Sequence, residues 1–175
     1  MSRIAKKSLK IAEKVSITKV DDYLIISGPL GKLAILLGKD IELKLEGEGI
    51  AFNLIKNDHP GVLGSIYVHT RNAMKDVVDG YSVSVKMVGV GFKASIVKNY
   101  LRLFIGFSHD VVFKIPNNLT IKIIDDTNFT INGFCRNSVM KFAKFIRNIK
   151  KPEPYNCKGI FLNGETIIRK EGKKK

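Results

Sequence analysis

Internal repetition constrains this chain more than any other feature. Leu119-Thr-Ile-Lys-Ile123 matches Ile41-Glu-Leu-Lys-Leu45, and Asn128-Phe-Thr-Ile131 matches Ala51-Phe-Asn-Leu54. Tyr23 aligns with Tyr100 and Phe52 with Phe129 at one and the same offset. Self-similarity at nearly half the length of the chain means a duplicated small domain, not a solenoid of short repeats.

Each copy shows the same change of hydrophobic period. In the first, Val15–Val20, Tyr23–Ser27, Lys32–Leu37, Ile41–Leu45 and Ile50–Ile55 alternate apolar and polar residues as strands do. Asp21-Asp22, Gly28–Gly31 and Gly47–Gly49 are the turns between them. From Pro60 to Val78 the apolar residues fall at helical spacing. Asp58 is the expected cap, Pro60 belongs to the first turn and Gly80 is the stop. In the second copy, Tyr81–Met87, Val90–Val97, Tyr100–Phe107, Val111–Ile115, Leu119–Ile123 and Asn128–Ile131 read as strands. A helix over about Arg136–Lys150 follows, ended by Pro152. The expectation is an α+β fold of two similar small domains, each an antiparallel sheet covered by one helix. The boundary falls near Gly80, giving residues 1–80 with a basic N-terminal arm and 81–175 with a basic C-terminal tail.

Charge separates the copies. The 175 residues carry a net +14. Residues 1–14 hold Arg3, Lys6, Lys7, Lys10 and Lys14 against Glu13. Residues 136–175 hold twelve Lys or Arg against Glu153, Glu165 and Glu171, a net of +9, while the stretch between is almost neutral. The net charge points to a polyanionic partner, a nucleic acid or an anionic membrane surface, and a near-neutral body with basic ends fits docking arms that neutralise phosphates. The first residues contain no apolar stretch of signal-peptide length and no run is long enough to span a bilayer, so a soluble chain in a reducing compartment is expected. Cys135 and Cys157 have no metal-ligand or redox spacing.

Catalytic signatures are weak. In Val88-Gly-Val-Gly-Phe92 the dinucleotide-loop pattern fails at Ala94, and strand-like alternation follows where a helix should open. A bulge or a close backbone approach between strands explains the glycines better. His59, His69 and His109 are scattered, and Asp125-Asp126 reads as a turn. No nucleophile, acid–base pair or metal set stands out, so no catalytic residue, metal or cofactor is expected.

The end of the chain is more informative. Arg136, Lys141, Lys144, Arg147, Lys150 and Lys151 give the last helix a basic surface, while Val139, Met140, Phe142, Ala143, Ile146 and Ile149 give it an apolar face. Pro152 and Pro154 stiffen its exit. Tyr155 offers a ring or hydroxyl to a base or sugar, and Asn156–Gly159 a loop whose amides can approach phosphate. Lys158 is expected to meet a phosphate, and Glu153 to pair with Lys151 or Arg147. Ile160, Leu162, Ile167 and Ile168 are expected to form a hairpin turning at Asn163-Gly164. Arg169, Lys170, Lys173, Lys174 and Lys175 continue the positive track.

The segments MSRIAKK, GPLG, VGVGFKA, IGFSHDV, KPEPYNCKGI and IRKEGKKK, in this order over essentially the whole chain, resemble the bacterial-type large-subunit ribosomal protein L-six family. The chain departs from the family pattern at Ala5, Ser8, Cys157 and Phe161. Cys157 stands where the family usually has Gly. The resemblance implies two similar α+β domains in a structural constituent of the large ribosomal subunit. It implies binding to large-subunit rRNA near the sarcin–ricin loop, beside neighbouring large-subunit proteins and close to where translational GTPases dock. It also implies that the second domain and its tail make most of the RNA contact. The ribosome would be that of a bacterial cytoplasm, a mitochondrial matrix or a plastid. With the charge count, the expected RNA-binding residues are Arg3, Lys6, Lys7, Lys141, Lys144, Lys151, Tyr155, Lys158, Gly159, Arg169, Lys170, Lys173, Lys174 and Lys175. The alternative is a stand-alone RNA-binding translation or RNA-processing factor. An enzyme would need a convergent polar pocket, which no motif supplies. No membrane and no small-molecule substrate is expected.

Overall fold

A computed structural model describes residues 8–38, 41–46, 49–55 and 60–172. The chain is α+β and divides into two compact units, Met1–Gly80 and Tyr81–Lys175. Unit 1 holds strands β1 (Leu9–Lys10), β2 (Ser16–Val20), β3 (Tyr23–Gly28), β4 (Gly31–Leu36), β5 (Ile41–Glu46) and β6 (Gly49–Leu54), then helix α1 (Pro60–Asp79). Unit 2 holds β7 (Tyr81–Val88), β8 (Lys93–Val97), β9 (Tyr100–Phe104), β10 (Val111–Lys114), β11 (Leu119–Asp125) and β12 (Asn128–Gly133), then helix α2 (Arg136–Ile149) and a last strand, β13 (Gly159–Leu162).

Each unit distributes its strands over two antiparallel sheets. In unit 1 these run β2-β3-β4 and β1-β6-β5. In unit 2 they run β8-β9-β10 and β11-β12-β7-β13. The duplication survives in detail. Asp21 and Lys98 open the β2–β3 and β8–β9 turns, and both are left-handed, with φ of 51° and 55°. Just beyond them, Leu37 donates its N–H to the carbonyl of Asp22, and Ile115 donates to that of Asn99, both at 2.9 Å. All of Leu37, Ile115, Phe52 and Phe129 are buried.

Alternation explains which faces are covered. Leu24 and Ile26 of β3, and Leu101 and Leu103 of β9, point into their cores. On α2 the buried residues are Val139, Ala143 and Ile146, one stripe at helical spacing. That stripe packs on β7, β12 and β13, against Val85, Phe129, Ile131 and Ile160. Each such side chain removed from water contributes about 1.5–3 kcal/mol before entropy is counted. On α1, Leu63, Ile66, Tyr67, Met74 and Val77 serve unit 1 in the same way. Gly80 closes α1 with φ 76° and a 3.0 Å N–H bond to the carbonyl of Asp76.

Several local expectations change. The strand expected from Val90 starts at Lys93, because Gly89–Phe92 is a tight turn in which a side chain at Gly89 would meet the Phe92 ring at 2.6 Å. The strand from Tyr100 stops at Phe104, near Gly106 with φ 75°. The N-terminal segment, read only as an arm, supplies β1, which pairs Leu9 with Ile50 on the edge of β6. Likewise, the segment after Pro154 is not only a tail: β13 pairs Ile160 with Met87 and Leu162 with Val85. The hairpin expected at Asn163-Gly164 does not form. Gly164 has φ 78°, but Asn163 lacks the positive φ a type I′ turn needs, and no strand returns through Ile167 and Ile168. Ile168 is 87% exposed. The cap expected at Asp58 lies outside the described residues.

Candidate nucleic-acid interface

The described basic residues of α2 and of the segment after it fall into two sets. Three support the fold. The Arg136 guanidinium lies 4.4 Å above the centre of the Tyr81 ring, and the Lys150 ammonium 5.1 Å above that of Phe107. Arg147 forms a two-pronged pair with Glu165: its Nε donates to Oε2 at 2.9 Å, and its Nη2 donates to Oε1. These two side chains are only 28% and 24% exposed. The hydrogen bond from Arg147, helped by the Leu162 N–H and by the guanidinium charge, holds the Glu165 carboxyl below its ordinary range against the opposing effect of burial. The same pairing raises the Arg147 pKa.

Lys141 and Lys144 form part of the second set, exposed on the outer surface of α2. So do Lys151, Lys158, Arg169 and Lys170. The chain leaving α2 folds into a compact loop. The Glu153 N–H donates to the carbonyl of Lys158 and the Cys157 N–H to that of Glu153, both at 2.9 Å, while the Ile160 N–H returns to the carbonyl of Lys150 at 3.0 Å. Lys158 thereby comes beside Lys150 and Lys151 on a shallow groove floored by Phe92 and Ile105. The last described segment folds back as well: the Lys170 N–H donates to the carbonyl of Pro154 at 3.0 Å. Tyr155, 51% exposed, then shares a cleft with Asn156, Arg169 and Lys170.

Two expectations are corrected. Gly159 is buried, and a Cβ there would sit 2.6 Å from the Cα of Pro152. Its close approach is to its own chain, so it is not available to a phosphate. Glu153 accepts from Asn156 at 3.2 Å, not from Lys151 or Arg147; Arg147 is taken by Glu165. Cys157 has φ 53°, the left-handed conformation that favours glycine, where the family pattern has one. Arg3, Lys6, Lys7, Lys173, Lys174 and Lys175 lie outside the described residues, as does His59. His69 and His109 are exposed, and His109 lies 3.3 Å from the Ser108 hydroxyl. Among the described residues no cluster of His, Cys, Asp or Glu is placed to hold a metal, and no helix is long and apolar enough to cross a membrane. The outward residues of β9, Tyr100, Arg102 and Phe104, were not among the residues expected to bind, although their alternation with Leu101 and Leu103 is visible in the sequence.

Duplicated α+β units, the second with exposed cations on its helix and on the folded loop and tail that follow, are the class of protein the fold defines. The sequence model of the family described as Ribosomal protein L6 matches residues 88–161. The chain is 35% identical over 173 residues to the large ribosomal subunit protein uL6 of Lacticaseibacillus casei, covering 99% of this chain and 98% of that one. It is 37% identical over 178 residues to the uL6 of Mycoplasma genitalium, covering 99% and 97%. With the uL6 of Rhizobium rhizogenes the identity is 35% over 177 residues and the whole of both chains. The chain belongs to the ribosomal protein L6 family.

Proposed function

We propose that the chain is a structural constituent of the large ribosomal subunit, not an enzyme, and that it binds large-subunit rRNA mainly through unit 2. The observation that carries this reading is the gathering of Lys141, Lys144, Lys151, Lys158, Arg169 and Lys170 as exposed cations on the outer surface of α2 and on the loop and tail that follow it. Cations arranged in this way neutralise phosphates and release the counterions around them. Tyr155 stands in the cleft beside Arg169 and Lys170, where its ring can meet a sugar or base. Family membership supports the ribosome as the setting and neighbouring ribosomal proteins as further partners, with relatives of bacterial type. The motif resemblance carries the finer placement: a site near the sarcin–ricin loop, next to the docking region of translational GTPases. By charge alone, Arg3, Lys6 and Lys7 of the N-terminal arm and the lysines 173–175 are further candidate phosphate contacts.

Sedimentation of ribosomes in high salt tests the proposal. The expected outcome is that the protein stays with large subunits at salt that strips loosely held factors. Quantitative release into the supernatant would favour a stand-alone RNA-binding factor and overturn the structural role.

A further inference from the structure

The interface above leaves the open face of the β8-β9-β10 sheet unused. On β9 the side chains of Leu101 and Leu103 enter the core, while Tyr100, Arg102 and Phe104 point outward. Lys93 and Val97 of β8, and Val112 and Lys114 of β10, are exposed on the same face. Strand register sets Lys93 beside Phe104, and Tyr100 between Val97 and Lys114. Each of the three strands therefore contributes one cation. Two aromatic rings, 46% and 40% exposed, flank Arg102 on the central strand.

The corresponding sheet of unit 1 provides an internal comparison. Its register makes Ser16, Ile25, Ser27 and Leu36 the counterparts of Lys93, Arg102, Phe104 and Lys114. The inward residues are apolar in both copies, Leu24 and Ile26 against Leu101 and Leu103. The fold thus does not demand the cations or the Phe104 ring.

We propose that this face is a second nucleic-acid-binding surface, which stacks the bases of an unpaired RNA segment on Tyr100 and Phe104 while Lys93, Arg102 and Lys114 hold its phosphates. At about 3.3 Å per residue along a strand, the two rings stand about 13 Å apart with Arg102 midway. A guanidinium plane also stacks on a base, so the central strand offers three successive stations. Bases inside an A-form helix cannot reach such stations, and the ligand is therefore a loop, bulge or single strand. Two carboxylates border the face: Asp110 lies 3.7 Å from Arg102 and Asp126 lies 3.8 Å from Lys93. Exposed pairs at these distances are weak in water and yield to a phosphate. The face rests on the reading of the chain as an RNA-binding protein but is separate from the α2 and tail surface.

The test uses the full chain with Tyr100→Leu and Phe104→Leu combined, its folding checked by its melting temperature. The probes are a single-stranded oligouridylate of about 12 nucleotides, within the site sizes of stacking surfaces, and deproteinised large-subunit rRNA. The double variant is expected to bind the oligonucleotide on the order of tenfold or more weakly, with an unchanged dependence on salt. Arg102→Gln is expected to reduce the slope of log affinity against log salt by about 0.7. Native protein that ignores the oligonucleotide, or a double variant that binds both probes normally, overturns the proposal. If such a variant binds RNA normally yet enters ribosomes poorly, the face docks a protein, and the RNA inference also falls. Failure of the ribosomal reading looks different: native protein would leave large subunits in high salt while keeping its oligonucleotide binding.

Discussion

Gly159 occupies a backbone conformation, φ 145°, in which an added Cβ would strike the Cα and N of Pro152. Neither partner atom belongs to a flexible side chain, so the loop itself must move. Gly159→Ala is therefore expected to destabilise unit 2 by about 3 kcal/mol, read as a lowered thermal midpoint; an unchanged midpoint would contradict this packing. The sequence made the glycine conspicuous but left its partner open, because the approach to Pro152 depends on how Glu153 and Cys157 close the loop. Lys141, Lys144, Lys151 and Lys158 were legible as surface cations, since they fall outside the apolar stripe of α2 or beyond its end. The supporting roles of Arg136 and Lys150 were not, because Tyr81 and Phe107 are remote from them in sequence.

At the scale of elements, the period change from strand to helix was legible in both copies, because each amphipathic element needs only local pattern to declare itself. Very short or added strands were not. β1 has two residues, and β13 is fixed by pairing with β7, a partner more than seventy residues away, so no local pattern betrays either. The same holds for the clasp between α2 and the segment after β13, made by Arg147 and Glu165. Their pairing replaces the expected hairpin as the means of holding the tail. Glu165→Gln is expected to cost about 1 kcal/mol at neutral pH, the range of a partly exposed charge pair with good geometry. The sign of its pH dependence follows from the lowered carboxyl pKa. The stabilisation is present above the ordinary glutamate range, near pH 4.3, and is lost as pH falls through the lowered value. The gap in stability between native protein and variant should therefore close in acid. Denaturant titrations at pH 7 and below pH 4 check this; a constant gap would show that the carboxylate does not carry the clasp.

Across the whole molecule, duplication and charge are the two facts that matter, and both are written in the sequence. Two copies of one fold let unit 2 gain cations at outward positions, such as Lys93 and Lys114, while its buried alternation stays like that of unit 1. The charge count located the basic region but could not distinguish cations spent on the fold from those facing outward, a distinction that needs tertiary neighbours. The described residues of unit 2 present an ordered phosphate-binding surface, and those of unit 1 do not. The most direct measurement is competition for incorporation into large subunits in cells carrying native protein and one variant, read by mass spectrometry of purified ribosomes. Lys158→Glu in the folded loop and Lys44→Glu on β5 make the same change in net charge at exposed positions. The account predicts clear depletion of the first and near-native incorporation of the second. Equal incorporation of the two variants would contradict it.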